Sequence, residues 1–213
     1  MRVEDEEFYL SLCKFARKIT VIDKWPPSSY KDNLDKETIF KKFRNSGIDY
    51  QELDLMEPPP FSDQRFDLII FTDVIEHLPR SPKKLLNEFN RILKPNGYLI
   101  VSTPNVSNLK HRIEMIFGRH FYFPIESWFN SDDFVGHFRE YTSKELRYII
   151  ENSNFEIRKI LFSNSQLLDF EKFPYLKLNS VKNILVLLYV MITSLFPSLR
   201  NFIILVAKKI PIK

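Results

Sequence analysis

Hydrophobic patterning is clearest in the middle of the chain. Phe66 to Phe71 is a short, nearly continuous apolar run, the pattern of a strand covered on both faces, and it stops at the polar pair Thr72 and Asp73. Ser81 is placed to cap a helix, Pro82 suits its first turn, and Leu85, Leu86, Phe89, Ile92 and Leu93 fall on one helical face. Lys94-Pro95-Asn96-Gly97 ends that helix, and Tyr98 to Val101 reads as a second buried strand closed by Ser102, Thr103 and Pro104. Strand, helix and strand fit one right-handed crossover, with ligands expected at the carboxyl ends, Thr72 to His77 and Ser102 to Asn105.

Similar patterning extends both ways. Residues 6–17 place Phe8, Leu12, Phe15 and Ala16 at helical spacing, and Ile19 to Ile22 form a short strand ending in Asp23. Trp25 to Ser29 is a loop, Leu34 to Phe43 a helix stopped by Gly47, and Ile48 to Leu53 a strand followed by Asp54 and Leu55. Pro58 to Pro60 form a stiff connector. Val106 to Phe117 is helical in pattern, and Arg119 to Phe129 is an aromatic loop. Thr142 and Glu145 form a capping box for a helix over Ser143 to Asn152, and Phe155 to Phe162 is the next strand.

The run Phe66-Asp-Leu-Ile-Ile-Phe-Thr-Asp-Val-Ile-Glu-His-Leu78, followed by Leu93-Lys-Pro-Asn-Gly-Tyr-Leu-Ile-Val-Ser-Thr-Pro-Asn105, resembles the second half of a class I S-adenosylmethionine-dependent methyltransferase. The likeness is to the small-molecule and O-methyltransferases and covers roughly residues 8 to 162 plus a last strand within Arg200 to Lys209. It implies an α/β, Rossmann-like, mostly parallel sheet with helices on both faces and a closing antiparallel strand, in a single domain over residues 1–213. The implied cofactor is S-adenosylmethionine. Asp23 would bond the ribose hydroxyls, Asp54 would face the adenine amino group, Leu55 would offer a backbone donor to the ring, and Thr72 and Asp73 would border the methionine end. For Asp23 the alternative is a helix or turn cap before Pro26.

The sequence departs from the family at its start. The family's first strand and Gly-x-Gly loop should precede Phe8, but residues 1–7 are Met-Arg-Val-Glu-Asp-Glu-Glu, and the four glycines are Gly47, Gly97, Gly118 and Gly136. Glycines there let backbone approach the methionine carboxylate, which an acidic run does not. The expectation is an N-terminally incomplete fold lacking a central strand, unless the strand at 19–22 moves in beside that at 66–71. Residues 106–141 would be an acceptor or lid insertion, with Phe121 to Phe129 either lining an acceptor pocket or packing on the domain's own body.

Asn183 to Leu199, seventeen residues without charge, reads as an apolar helix inserted at 179–199, before the last strand. It spans about 25 Å, short of the roughly 30 Å of a bilayer core, and Pro197 interrupts it. It is expected either to lie at a membrane interface, flanked by Lys177, Lys182 and Arg200, or to cover the aromatic loop or a second subunit.

Composition narrows the alternatives. The chain has 213 residues, 44% hydrophobic, enough for one sizeable core. Its net charge of +4 is scattered among acids, so nucleic-acid binding is not indicated. The single cysteine, Cys13, excludes an internal disulfide and reads as a buried small residue on the first helix. Glu4 to Glu7 rule out a secretory signal at Met1, so the expected location is cytoplasmic, with peripheral membrane contact or self-association through 183–199. His77 and His137 are the catalytic candidates, as bases toward an acceptor hydroxyl or as structural residues. No His, Cys and acid spacing suggests a zinc site. The expected activity is methyl transfer to oxygen or nitrogen of a small or lipid-linked acceptor. The alternatives are a non-catalytic remnant or partner subunit and a membrane-surface interaction module.

Overall fold

The computed structural model describes residues 11–23, 36–119, 125–132, 136–164 and 181–211. The readings at residues 6–10, Trp25 to Ser29 and Phe121 to Phe123 lie outside them. Two compact units divide the chain, residues 1–60 and 61–213.

In the first unit, strand β1 (Ile19–Asp23) pairs in parallel with β2 (Ile48–Glu52), and helix α1 (Lys36–Asn45) connects them. Val21, Phe43 and Ile48 are the buried cluster, with Tyr50 stacked on Phe43 at 5.7 Å between ring centroids. Gly47 ends the connection as the pattern predicts: its φ of +72° is a left-handed conformation that costs a side-chain-bearing residue, although space for a Cβ is open. The helix expected over 6–17 is different. Residues 11–12 are helical, but 13–15 tighten into a turn, with Phe15 N bonded to Leu12 O and Phe15 87% exposed. Cys13 lies in the same turn and is exposed, not buried.

In the second unit, β3 (Phe66–Thr72), α2 (Lys83–Ile92) and β4 (Leu93–Pro104) form the expected crossover, with β3 and β4 parallel. Leu85, Leu86, Phe89 and Ile92 are buried on one face of α2, and the rings of Phe89 and Phe71 meet edge to face at 5.1 Å. The helix starts after Pro82, and Ser81 Oγ only reaches Lys83 N at 3.4 Å, so Ser81 is not the cap. Lys94 to Gly97 form no separate loop but the start of β4, with Asn96 at φ +65°. Gly97 is required there, since a Cβ would come within 2.9 Å of Lys94 O and 3.1 Å of Asp67 O. Strand β5 (Phe155–Ser163) follows helix α5 (Ser143–Glu151) and precedes α6 (Val181–Leu195), and β6 (Phe202–Lys209) runs antiparallel between β4 and β5. Two shorter helices, α3 (Leu109–Ile116) and α4 (Ile125–Phe129), lie between β4 and α5.

In place of one mostly parallel sheet, the described residues form a parallel pair β1-β2 and a mixed four-stranded sheet in the order β3-β4-β6-β5 with one parallel and two antiparallel pairings. Among the described residues β3 has a partner along one edge only, and Leu68, expected to be covered, is 44% exposed. The closing antiparallel strand is present as β6.

Thr142 caps α5 as expected: its hydroxyl accepts from Glu145 N at 3.2 Å, and Glu145 accepts from Thr142 N at 2.9 Å. Burial alone would raise the Glu145 pKa, but bonds from Thr142 and Arg139 outweigh it and lower it. A carboxylate with a depressed folded pKa contributes stability above its unfolded pKa and loses it as pH falls through the folded one. Thr142→Ala should therefore cost about 1 kcal/mol at neutral pH. In urea unfolding that difference should shrink toward pH 3; a difference constant with pH would remove the charged half of the cap from the account.

No helix among the described residues is long and apolar enough to cross a membrane. Helix α6 still exposes Leu185, Leu188, Met191 and Leu195, and Pro197 ends its run in a single 3₁₀ turn, Pro197–Leu199. The aromatic loop expected over Arg119 to Phe129 ends in helix α4, where Trp128 and Phe129 are exposed.

Candidate active site

The carboxyl ends of β3 and β4 lie side by side because Thr72 pairs with Ser102. Just beyond, Asp73 takes φ +54°, its amide donates to Ser102 O at 3.1 Å, and Ser102 Oγ donates to its carboxylate at 3.1 Å. The chain then makes one 3₁₀ turn, Ile75–His77, which buries Glu76 under the sheet end. Thr103 donates its hydroxyl to Glu76 Oε2 at 3.0 Å. Burial, with Asp73 nearby, pushes the Glu76 carboxyl up to about 7 despite the Thr103 bond.

A second segment closes over this turn. Phe138 N and Arg139 N both donate to Glu76 O, at 2.8 and 3.2 Å, and Val106 N donates to Tyr141 O at 3.1 Å, where Asn105 and Tyr141 form a parallel bridge. These bonds fix residues 136–141 across the ends of β3 and β4. They bring His137 against His77, ring centroids 4.7 Å apart and planes at 76°. His77 Nδ1 lies 3.0 Å from Gly136 O, and His137 Nδ1 lies 2.8 Å from Glu140 Oε1. A carbonyl and a carboxylate only accept, so each Nδ1 carries a proton, and in the neutral ring the lone pair is on Nε2. Burial and the neighbouring His137 lower the His77 pKa, whereas the Glu140 bond raises that of His137.

Asn105, expected at a ligand-facing strand end, instead anchors backbone. Its side-chain amide donates to Ser198 O and Arg200 O, both at 2.8 Å, and its oxygen accepts from Ser107 N and Oγ. In the first unit, Asp23 and Asp54 come to the same end of the strand pair, since Asp23 is in register with Glu52 and Leu53 N donates to Asp23 O. Asp54 Oδ1 accepts from Met56 N at 2.9 Å, so that carboxylate also shapes its own turn, and Leu55 follows half-buried.

The methyltransferase-domain family matches residues 8–160. The chain belongs to this family of class I S-adenosylmethionine-dependent methyltransferases. It is 27% identical over 179 residues to a ubiquinone biosynthesis O-methyltransferase of Rickettsia typhi, covering 78% of this chain and 67% of that protein. It is 26% identical over 144 residues to the protein of the same name from Rickettsia bellii, covering 67% of this chain and 54% of that one, so it spans only about half of that relative. The crystal structure of an S-adenosylmethionine-dependent methyltransferase from Archaeoglobus fulgidus superposes with a TM-score of 0.55 at 19% identity, over 94% of this chain and 80% of that one.

The family's cofactor is S-adenosylmethionine, and the residues of this methyltransferase domain fit it in part. Two acids stand at neighbouring strand ends, as a nucleoside site requires. No Gly-x-Gly occurs anywhere in the sequence, and the glycine brought to the ends of β3 and β4, Gly136, faces His77 Nδ1 with its carbonyl at 3.0 Å.

Of the candidates named from sequence, His77, His137, Thr72 and Asp73 belong to the second unit, where the first two touch, and Asp23, Asp54 and Leu55 to the first. Glu76, Thr103 and Glu140 were not singled out. A signal was present in the alternation Gly136-His137-Phe138-Arg139-Glu140, but its partner turn lies far away in sequence.

Proposed function

We propose that this methyltransferase domain places a methyl group from S-adenosylmethionine on the oxygen of a small acceptor, held at the His77–His137 corner. The observation that carries this is the pair of imidazoles fixed through their Nδ1 atoms at the carboxyl ends of β3 and β4, an orientation in which a neutral ring can accept an acceptor hydroxyl's proton at Nε2. The naming of the Rickettsia relatives as O-methyltransferases supports oxygen over nitrogen. In this reading Asp23, Asp54 and Leu55 are the nucleoside contacts, Thr72 and Asp73 the methionine-end contacts, and a glycine loop of the family's kind would supply the rest. The open edge of β3 is where the accompanying strand would pair.

The test is isotope-labelled methyl transfer in a chain extended by that strand and loop, with matched hydroxyl and amine acceptors. The expected product is a methyl ether, with turnover reduced roughly a hundredfold or more in His77→Ala or His137→Ala. An N-methyl product would overturn the oxygen assignment. No product from the extended, folded chain would favour the second reading, a non-catalytic member of the fold, which the absence of Gly-x-Gly also supports.

A further inference from the structure

Helix α6 is anchored along one face only. Tyr189 Oη donates to Asn201 Oδ1 at 2.7 Å, and the buried Thr193 hydroxyl accepts from Asn164 Nδ2 at 2.9 Å. These two residues stand one turn apart, so their bonds fix the rotation of the helix about its axis. At about 3.6 residues per turn, Ile184, Leu188, Met191 and Leu195 then fall on the opposite side, and they are 43% to 69% exposed.

The spacing of these four says what such a face fits. Steps of four, three and four residues are the a and d positions of a heptad repeat, the seam that one helix offers to another. A helix that lies in a membrane surface carries Lys and Arg on its polar face, which meet the lipid headgroups. From Asn183 to Leu199 there is no charged residue, and Arg200 turns its guanidinium inward, donating to Thr193 O and Phe162 O, both at 3.0 Å.

We propose that this seam pairs with the same seam on a second copy of the chain, so that the protein forms a homodimer through α6. A two-fold interface brings one patch against itself, and an uncharged apolar stripe meets that condition without like charges in opposition. With Leu185 and Phe196 beside it, the stripe leaves about 500–600 Å² of apolar surface uncovered, at the top of the range found on monomers. A pair would bury about 1,000–1,200 Å², the lower bound of a specific interface. Two heptads are few for isolated helices, but each α6 is already held by its own sheet, so association orders side chains and not backbone. The dissociation constant expected from an interface of this size is on the order of 10 μM. The seam takes nothing from the methyl-transfer reading, and either stands if the other fails.

The experiment is sedimentation equilibrium of the purified chain over about 1 to 200 μM, a range that brackets that constant. The average mass should rise from that of the 25.5 kDa chain toward twice that value and stop there. Leu188→Glu and Met191→Glu change side chains that are exposed in the single chain, so both should fold normally by circular dichroism. Each should weaken the dimer by roughly a hundredfold, because a carboxylate would be buried against its own copy. Ile116→Glu, at an exposed apolar position on α3, should leave the mass curve unchanged. A parent that stays monomeric throughout overturns the proposal, as does mass that climbs past two copies. So does a dimer that survives in both seam variants, which would assign it to another surface such as the open edge of β3. Binding of a monomeric parent to phosphatidylglycerol vesicles, lost in the same two variants, would overturn it in favour of a lipid surface.

Discussion

Leu99→Ala should destabilise the second unit by about 2–5 kcal/mol, enough to remove much of the 5–15 kcal/mol typical of a domain. Leu99 is fully buried, and its strand is the one place where β3 and β6 both pair, through Ile69 and Ala207. The side chain removed has no route to collapse, because Ala207 opposite it and the neighbouring pair Val101 and Leu205 are fully buried on fixed strands. Leu68→Ala, one strand away but 44% exposed, should cost well under half as much. In native-state hydrogen exchange the amides of Leu99 to Val101 and Ile203 to Ala207 should be the slowest. Those of Ile19 to Ile22 should exchange much faster, since β1 has one strand partner among the described residues and a core cluster of three buried side chains. Equal protection in the two regions would show that β1 has gained a neighbour that completes its sheet.

The elements read correctly from the sequence are those whose determinants are local. The apolar run at 66–71 followed by Thr72, the single apolar face from Leu85 to Ile92, Gly47 at φ +72° and the Thr142–Glu145 box each signal through residues within one or two turns, and each occurs where the pattern places it. Pairing is different in kind. β6 inserts between β4 and β5 although it follows them both, an order that periodicity does not register. The misread turn at 13–15 has the same origin: apolar spacing marks a helical face only where there is a body for that face to cover, and Phe15 covers none. The candidate site was half legible. His77 and His137 stood out as residue types near strand ends, but Glu76 and Glu140 matter because a loop folds across a turn some sixty positions earlier, a contact held by backbone bonds that no side-chain pattern records.

Titrated with S-adenosylmethionine, the 213-residue chain should bind weakly, two to three powers of ten below an otherwise identical chain that carries a strand and Gly-x-Gly loop ahead of Ser11. The reasoning follows the ligand from end to end. Asp23 and Asp54 stand at the carboxyl ends of β1 and β2, where the proposed reading puts the ribose and adenine contacts. The methionine carboxylate needs backbone amides brought close by residues without side chains, and the glycines have other places: Gly47 ends α1, Gly97 avoids a Cβ that would come within 3.1 Å of Asp67 O, and Gly136 turns its carbonyl to His77. Loss of about three hydrogen bonds at roughly 1–1.5 kcal/mol each amounts to about 3–4.5 kcal/mol, which at 1.4 kcal/mol per decade gives the stated loss. Asp54→Ala and Asp23→Ala should each weaken what binding remains by about tenfold. Calorimetry on the parent and the extended chain decides the matter. Micromolar affinity in the parent would mean that other residues already cradle the methionine end, and unchanged weak binding in the extended chain would mean that the fold no longer admits the cofactor.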